Sequence, residues 1–387
     1  YLIKQAKKLD FSFFAHPLAI LLAVHFAWIV VAVINSPNQL VSWKYLLAKT
    51  WYISVFFILA GLILKDEKTI RKFFWLIFIP LSLVVLQTMV RHGLKGFSFD
   101  DVNTQMWPFF RNHVTYAAMV TLFFPFISLA MTWYEKGSFK RRLLWWARIL
   151  FLVAIYLSFT RACILALILA GVAYFLIRWK MMKLVIVTGF IAAVSLVFYL
   201  ADENRYMLFE PDFEKTIHHD DFDDHMAATV KGQDASSMER LNMWIAGFRM
   251  APEQPITGHG PGNFFPTYKP YTVTGFHTYL SDNEQGLTVH NYFILILVEQ
   301  GFIGLSIFIL LTIAIFWLGQ NLYSKADSKQ KPIIMAVLLS MVVIYVNLLL
   351  SDLVETDKVG SVFFINIALL INLSREIKLT RSDRLAD

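Results

Sequence analysis

The chain has 387 residues, 57% of them hydrophobic and 16% charged, with a net charge of +7 and a mean hydropathy of +0.55. A soluble domain carries about a quarter charged residues, so this composition excludes an ordinary soluble protein. The positive charge does not imply nucleic acid, because the basic residues sit in short segments between apolar runs.

In chain order, apolar spans are expected near 18–34, 45–64, 73–90, 114–133, 143–160, 162–178, 184–200, 302–320, 332–350 and 359–373. These ten approach the length needed to cross hydrocarbon; eleven or twelve remain open because 289–301 is also apolar. The chain begins at Tyr1, so the native start is expected to lie upstream or to have been processed, and the first span should act as an uncleaved insertion signal. Basic clusters alternate with the spans: Lys65, Lys68, Arg71 and Lys72; Lys140, Arg141 and Arg142; Arg178, Lys180 and Lys183; Lys325, Lys329 and Lys331. With the N-terminus inside, parity puts every cluster on the cytoplasmic side and puts 91–113, 201–287 and 351–358 outside. The expected organisation is an N-terminal transmembrane bundle over 1–200, a large external loop over 201–287 and C-terminal transmembrane helices over 288–387.

The external loop is polar and holds most of the chemistry. Ser236-Ser237-Met238-Glu239 has the pattern of a capping box and predicts a helix running to about Met250. Leu241, Trp244, Ile245 and Phe248 follow at helical spacing and predict an apolar face. Pro252 and Pro255 end the helix, and Gly258, Gly260 and Gly262 then make a tight loop. The run His218–His225 is rich in histidine and aspartate but lacks a recognisable metal spacing. No metal and no cofactor are expected. Cys163 is the single cysteine, so no intramolecular disulfide can form.

Arg161 separates two spans on the external side, where a mere positive-inside anchor is disfavoured. Arg240 occupies the first turn of the loop helix, a place mildly unfavourable for a cation. His290 opens the span that resumes the membrane pattern, where the helix dipole and neighbouring arginines should depress its pKa. Two arginines and a histidine facing one compartment suit an anionic leaving group and a base. The blander readings are an interfacial anchor, a solvated arginine paired with Glu239 or Asp234, and a capping histidine. Arg249 falls near the opposite helix face and ranks lower; Arg111 and His113, just before an outer helix start, either join the donor site or merely mark the boundary. Glu299, in an apolar stretch, orients a neighbour or merely precedes Gly301. Gly260 and Gly262 offer backbone N–H groups to a phosphate or simply shape a turn. Asp352, Glu355 and Asp357 are expected only to form an outer turn.

Three segments together resemble the O-antigen ligase/polymerase superfamily of bacterial membrane glycosyltransferases. They are Ser158-Phe-Thr-Arg161; Glu239-Arg-Leu-Asn-Met-Trp244 with Pro255-Ile-Thr-Gly-His-Gly-Pro-Gly-Asn-Phe264; and His290-Asn-Tyr-Phe with Glu299-Gln-Gly301-Phe-Ile-Gly304. The resemblance covers about 143–320 and implies an all-α polytopic bundle of GT-C type at the bacterial inner membrane, acting at the periplasmic face. It implies transfer of a glycan from an undecaprenyl diphosphate to an acceptor hydroxyl, a lipid A core sugar in ligases and another glycan or a protein in relatives. Arg161 and Arg240 would hold the diphosphate, and His290 would take the acceptor's proton with inversion. The partners are then a lipid-linked glycan donor, a glycan acceptor and membrane lipid. The His218–His225 insert departs from the pattern. A transporter or flippase is the reading from another class, disfavoured because charges do not appear along the spans at mid-membrane depth and no inverted repeats are visible. A non-catalytic envelope scaffold would leave Arg161, Arg240 and His290 individually dispensable.

Overall fold

The computed structural model describes residues 11–209, 235–276 and 288–386. Among these, helices dominate and no strand occurs. The long helices are α1 (Pro17–Ile34), α2 (Gln39–Ile63), α3 (Glu67–Gly93), α4 (His113–Ala130), α5 (Phe139–Tyr156), α6 (Arg161–Arg178) and α7 (Met182–Ala201). They continue with α8 (Ala235–Met250), α9 (Tyr292–Lys325), α10 (Gln330–Leu348) and α11 (Asp357–Ala386).

Local sequence sets the helix starts. Asp66 and Thr69 close a capping box on α3, with Thr69 N–H donating to Asp66 at 2.8 Å. Asn112 accepts from Thr115 N–H at 2.9 Å at the start of α4, and Asn291 accepts from Phe293 and Ile294 at the start of α9. Inside α2 the residues Ile53–Leu59 are wound as a π-helix. The unwinding at its far end is satisfied from α11, where the Asn372 amide donates to the carbonyls of Gly61 (2.8 Å) and Leu64 (2.9 Å).

Eight helices among the described residues are long and apolar enough to cross a membrane, against the ten spans expected. The two remaining segments form helices α5 and α11 but fall outside that set. In α5 the reason is charge: Lys140, Arg141, Arg142 and Arg148 share one helix. The apolar stretch 289–301 is no separate span, since 292–300 forms the first arm of α9.

The core is centred on α10, which packs against α4, α6, α9 and α11. Its apolar window is 78% buried, whereas none of the corresponding window of α7 is, so α7 is a peripheral helix that leaves its apolar side chains exposed. Helix α8 lies on the first arm of α9. Of its expected apolar face Ile245 is buried and Leu241 and Trp244 half-buried, but Phe248 is 40% exposed, and the buried side extends instead over Glu239, Asn242, Met243, Ala246 and Met250. Small residues decide this. Gly247 meets Ile294 of α9 so closely that a Cβ there would stand 2.6 Å from its methyl group, and only this face allows that approach.

Candidate active site

The site is organised by a break in α9. Gly301 has φ +69° and ψ −175°, a conformation essentially confined to glycine, so the helix ladder is interrupted and its backbone is free to pair elsewhere. The glycine loop supplies the pairing. Phe302 N–H donates to the Pro255 carbonyl and His259 N–H to the Val298 carbonyl, each at 2.8 Å. Gly258 lies against α9 with no room for a side chain, its ideal Cβ falling 2.4 Å from the Glu299 carbonyl carbon.

Glu299, fully within the bundle, accepts hydrogen bonds from the backbone N–H groups of Gly262 and Phe264 (3.1 Å for Phe264). On its other side the loop is fixed to the α1–α2 turn. Asn263 donates to Ser36 Oγ at 2.8 Å and Ser42 Oγ at 3.1 Å, and Ser42 donates to the Pro261 carbonyl at 2.7 Å. Gly260 and Gly262 press against Ser36 and Val41 at distances a Cβ would violate. The N–H of Gly262 therefore faces a carboxylate.

His290 does not open the helix; it stands two residues before α9, with Asn291 as the N-cap. Its φ is +52°, an uncommon value for a side-chain-bearing residue. The turn is held because Asn291 also donates to the Leu349 carbonyl (3.2 Å) at the end of α10. Burial, and then the nearby Arg240 guanidinium, push the His290 pKa down from 6.5 to about 4. The ring is thus neutral at ordinary pH.

A relay runs behind it. His290 Nδ1 lies 3.4 Å from Thr288 Oγ1, the His290 backbone N–H donates to the same oxygen at 3.3 Å, and Thr288 donates to Asp352 Oδ1 at 3.3 Å. A hydroxyl has one proton. Given to Asp352, it leaves the threonine oxygen to accept Nδ1–H, which places the imidazole lone pair on Nε2. Burial, with Glu355 close by, raises the Asp352 pKa.

Arg161 is the first residue of α6 and half-buried. Two residues on, Cys163 Sγ meets Asn347 Oδ1 at 3.6 Å in the last turn of α10. Because Asn291 binds Leu349 at that same helix end, Arg161 and His290 are brought to one end of the bundle. Arg240, half-buried on α8, is near enough to act on the His290 charge. Arg249 is directed away: it is exposed and donates to the Tyr206 hydroxyl at 3.0 Å. Arg111 is exposed in the segment before α4, where His113 pairs with Asn103 at 2.6 Å.

Several groups escape sequence reading. Lys49 of α2 donates to both oxygens of Glu355 (2.8 and 2.9 Å), and Tyr45 and Tyr292 also bind this carboxylate. Glu355 follows Asp352 on the same short turn, whose backbone closes by Glu355 N–H to the Asp352 carbonyl at 2.9 Å. Lys49 and Glu299 are thus buried ionisable groups toward the outer end of the bundle, bound to the outer turn and to the glycine loop. Both face the bundle interior with partners, as intramembrane charges must. The signal was present in Tyr45, Lys49 and Tyr52 at helical spacing, a polar stripe inside an apolar run. Thr288 carried no signal at all. Among the described residues no group of His, Cys, Asp and Glu is placed to hold a metal ion, and His218–His225 lies outside them.

No curated protein matches the chain at the sequence level. Residues 146–309 match the family model described as O-Antigen ligase, a stretch that takes in Arg161, Arg240, the glycine loop, His290 and the break in α9. Through this region the chain is similar to the O-antigen ligase family, and its eight membrane-length apolar helices among the described residues fit a multi-pass membrane protein of that kind.

Proposed function

We propose that the protein transfers a glycan from a polyprenyl diphosphate to an acceptor hydroxyl, with a lipid A core sugar as the acceptor. Arg161 and Arg240 hold the donor diphosphate: planar, permanently charged guanidinium groups bind phosphate bidentately and stabilise the charge that grows on the leaving oxygen. His290 Nε2 takes the acceptor's proton as its oxygen attacks the anomeric carbon. The bond from that carbon to the phosphate oxygen breaks on the opposite side, the diphosphate departs as an anion, and the configuration inverts. No metal is required in this scheme. The observation that carries the reading is the neutral His290, backed by Thr288 and Asp352 and adjacent to Arg240.

The site end is assigned to the periplasmic face of the inner membrane, because the basic loops gather at the opposite end. Polymerisation of glycan repeats or transfer to a protein hydroxyl uses the same chemistry and differs only in the acceptor. Against transport, Lys49 and Glu299 are engaged by Glu355 and by loop N–H groups, and so do not line an open path.

The test is the purified protein incubated with polyprenyl-diphosphate-linked glycan and lipid A core in EDTA, comparing wild type with His290→Ala. Transfer to the core by wild type alone is expected. Elongation of the glycan with an undecorated core makes the protein a polymerase, and unaltered turnover by His290→Ala removes His290 from the mechanism.

A further inference from the structure

At the opposite end of the bundle, Arg148 occupies a position that loop-borne positive charge does not explain. It lies in the middle of α5, about 14 Å along the axis from Phe139. Its guanidinium is half-buried, 3.8 Å from Met131 Sδ and 5.6 Å from the centre of the Phe124 ring. Among the described residues no carboxylate reaches it. A guanidinium at this depth is expensive unless something anionic joins it.

The surroundings indicate what joins it. Long side chains on a helix lean toward its N-terminus, so Arg148 is directed to the end where Lys140, Arg141 and Arg142 lie. Met131 stands two residues before Trp133, the last residue of that membrane-spanning segment, so the guanidinium sits just inside the hydrocarbon boundary. Phospholipid phosphates lie just outside that boundary, within reach of a long side chain directed toward it. Arg141 shares the Arg148 face of α5, seven residues earlier, and donates to the Tyr134 carbonyl at 2.9 Å. Lys140 lies over the Tyr134 ring at 5.3 Å. Between the two arginines Trp145 is 48% exposed, and Trp146 beside it 64%, as in an interfacial aromatic belt.

We infer that Arg148, with Arg141 and Trp145 on the same face of α5, forms a seat for the phosphate of an anionic phospholipid. The guanidinium grips the phosphate from within the bilayer while the acyl chains run along the exposed apolar residues Leu152 and Val153. The seat is separate from the diphosphate site assigned to Arg161 and Arg240, which lies at the other end of α4 and α6.

Native mass spectrometry of the detergent-purified protein, titrated with phosphatidylglycerol or phosphatidylcholine, tests this. Wild type should hold phosphatidylglycerol about tenfold more tightly, and Arg148→Gln should lose that preference. Arg148→Lys, which keeps the charge but not the planar fork, should fall between them, and Lys329→Gln should match wild type. Cys163 should stay unreactive to maleimide in each variant, showing that the bundle is intact. Equal affinity of wild type for the two lipids, or undiminished preference in Arg148→Gln, overturns the proposal. Displacement of the lipid by millimolar inorganic phosphate also overturns it, in favour of a free-anion site.

Discussion

Replacing Gly301 by alanine tests whether the break in α9 seats the glycine loop. The backbone there, at φ +69° and ψ −175°, admits a side chain only at a cost of about 1–3 kcal/mol. The new Cβ would also stand 2.1 Å from the Ile256 carbonyl oxygen and 2.7 Å from that of Pro255. Both are backbone atoms, so relief means moving the loop and losing the Phe302 to Pro255 hydrogen bond, a further ~0.5–1.5 kcal/mol. Together these predict a loss of roughly 2–4 kcal/mol. The single cysteine provides the assay: Cys163 is fully buried, so a thiol-reactive fluorophore reports unfolding on heating. Gly171→Ala is the control, because its Cβ meets nothing within 4 Å and lies in a regular helix. That change should stabilise by about 0.5–1 kcal/mol. Gly301→Ala melting with wild type, or Gly171→Ala melting as early as Gly301→Ala, refutes the reasoning.

The pH dependence follows from His290. With its pKa lowered to about 4, the ring stays neutral well below 6.5, so transfer should hold its rate to about pH 5.5 and fall only toward pH 4. A rate already halved near pH 6.5 contradicts this. For folding the sign is the same: between the two values the unfolded chain binds more protons, so the His290 contribution to stability declines as pH falls from 6.5 toward 4. Lys49→Ala should destabilise by about 3 kcal/mol, since it strands the Glu355 carboxylate, and adding Glu355→Gln should recover part of the loss. Thermal melts of the single and double variants check this; additive losses would show that the pair is not coupled.

Helices α1, α3, α4, α6 and α10 were readable because each is an uninterrupted apolar run bounded by polar residues. The fate of 289–301 was not, since apolar content cannot distinguish a separate short span from one arm of a broken helix. Only the positive φ of Gly301 and the loop that pairs with it decide the matter. The exposure of Phe248 on α8 was missed for a related reason. Phe248 is the more hydrophobic residue, but Ala246 and Gly247 permit the backbone approach to α9, and steric fit prevailed. At the site, Arg161 and His290 were visible as ionisable residues at span boundaries, and Arg240 as a cation in the first turn of the loop helix. Their support was not: Thr288, Asp352 and the Lys49–Glu355 pair act across long sequence separations that only the packed bundle brings together.

The exposure of α7 makes bilayer thickness a variable of the external segment. Its 20 residues rise about 30 Å, the depth of the hydrocarbon itself. A thinner bilayer is met by tilting, which the sparse packing of α7 against α9 and α6 permits. One end is moored by Lys183 over the Trp317 ring at 4.2 Å, so the displacement falls on the other. That end continues into 202–209 and bears Tyr206, whose hydroxyl receives Arg249 of α8, the helix that also carries Arg240. Acyl-chain length thereby bears, through Tyr206 and Arg249, on the helix that carries the proposed diphosphate-binding arginine.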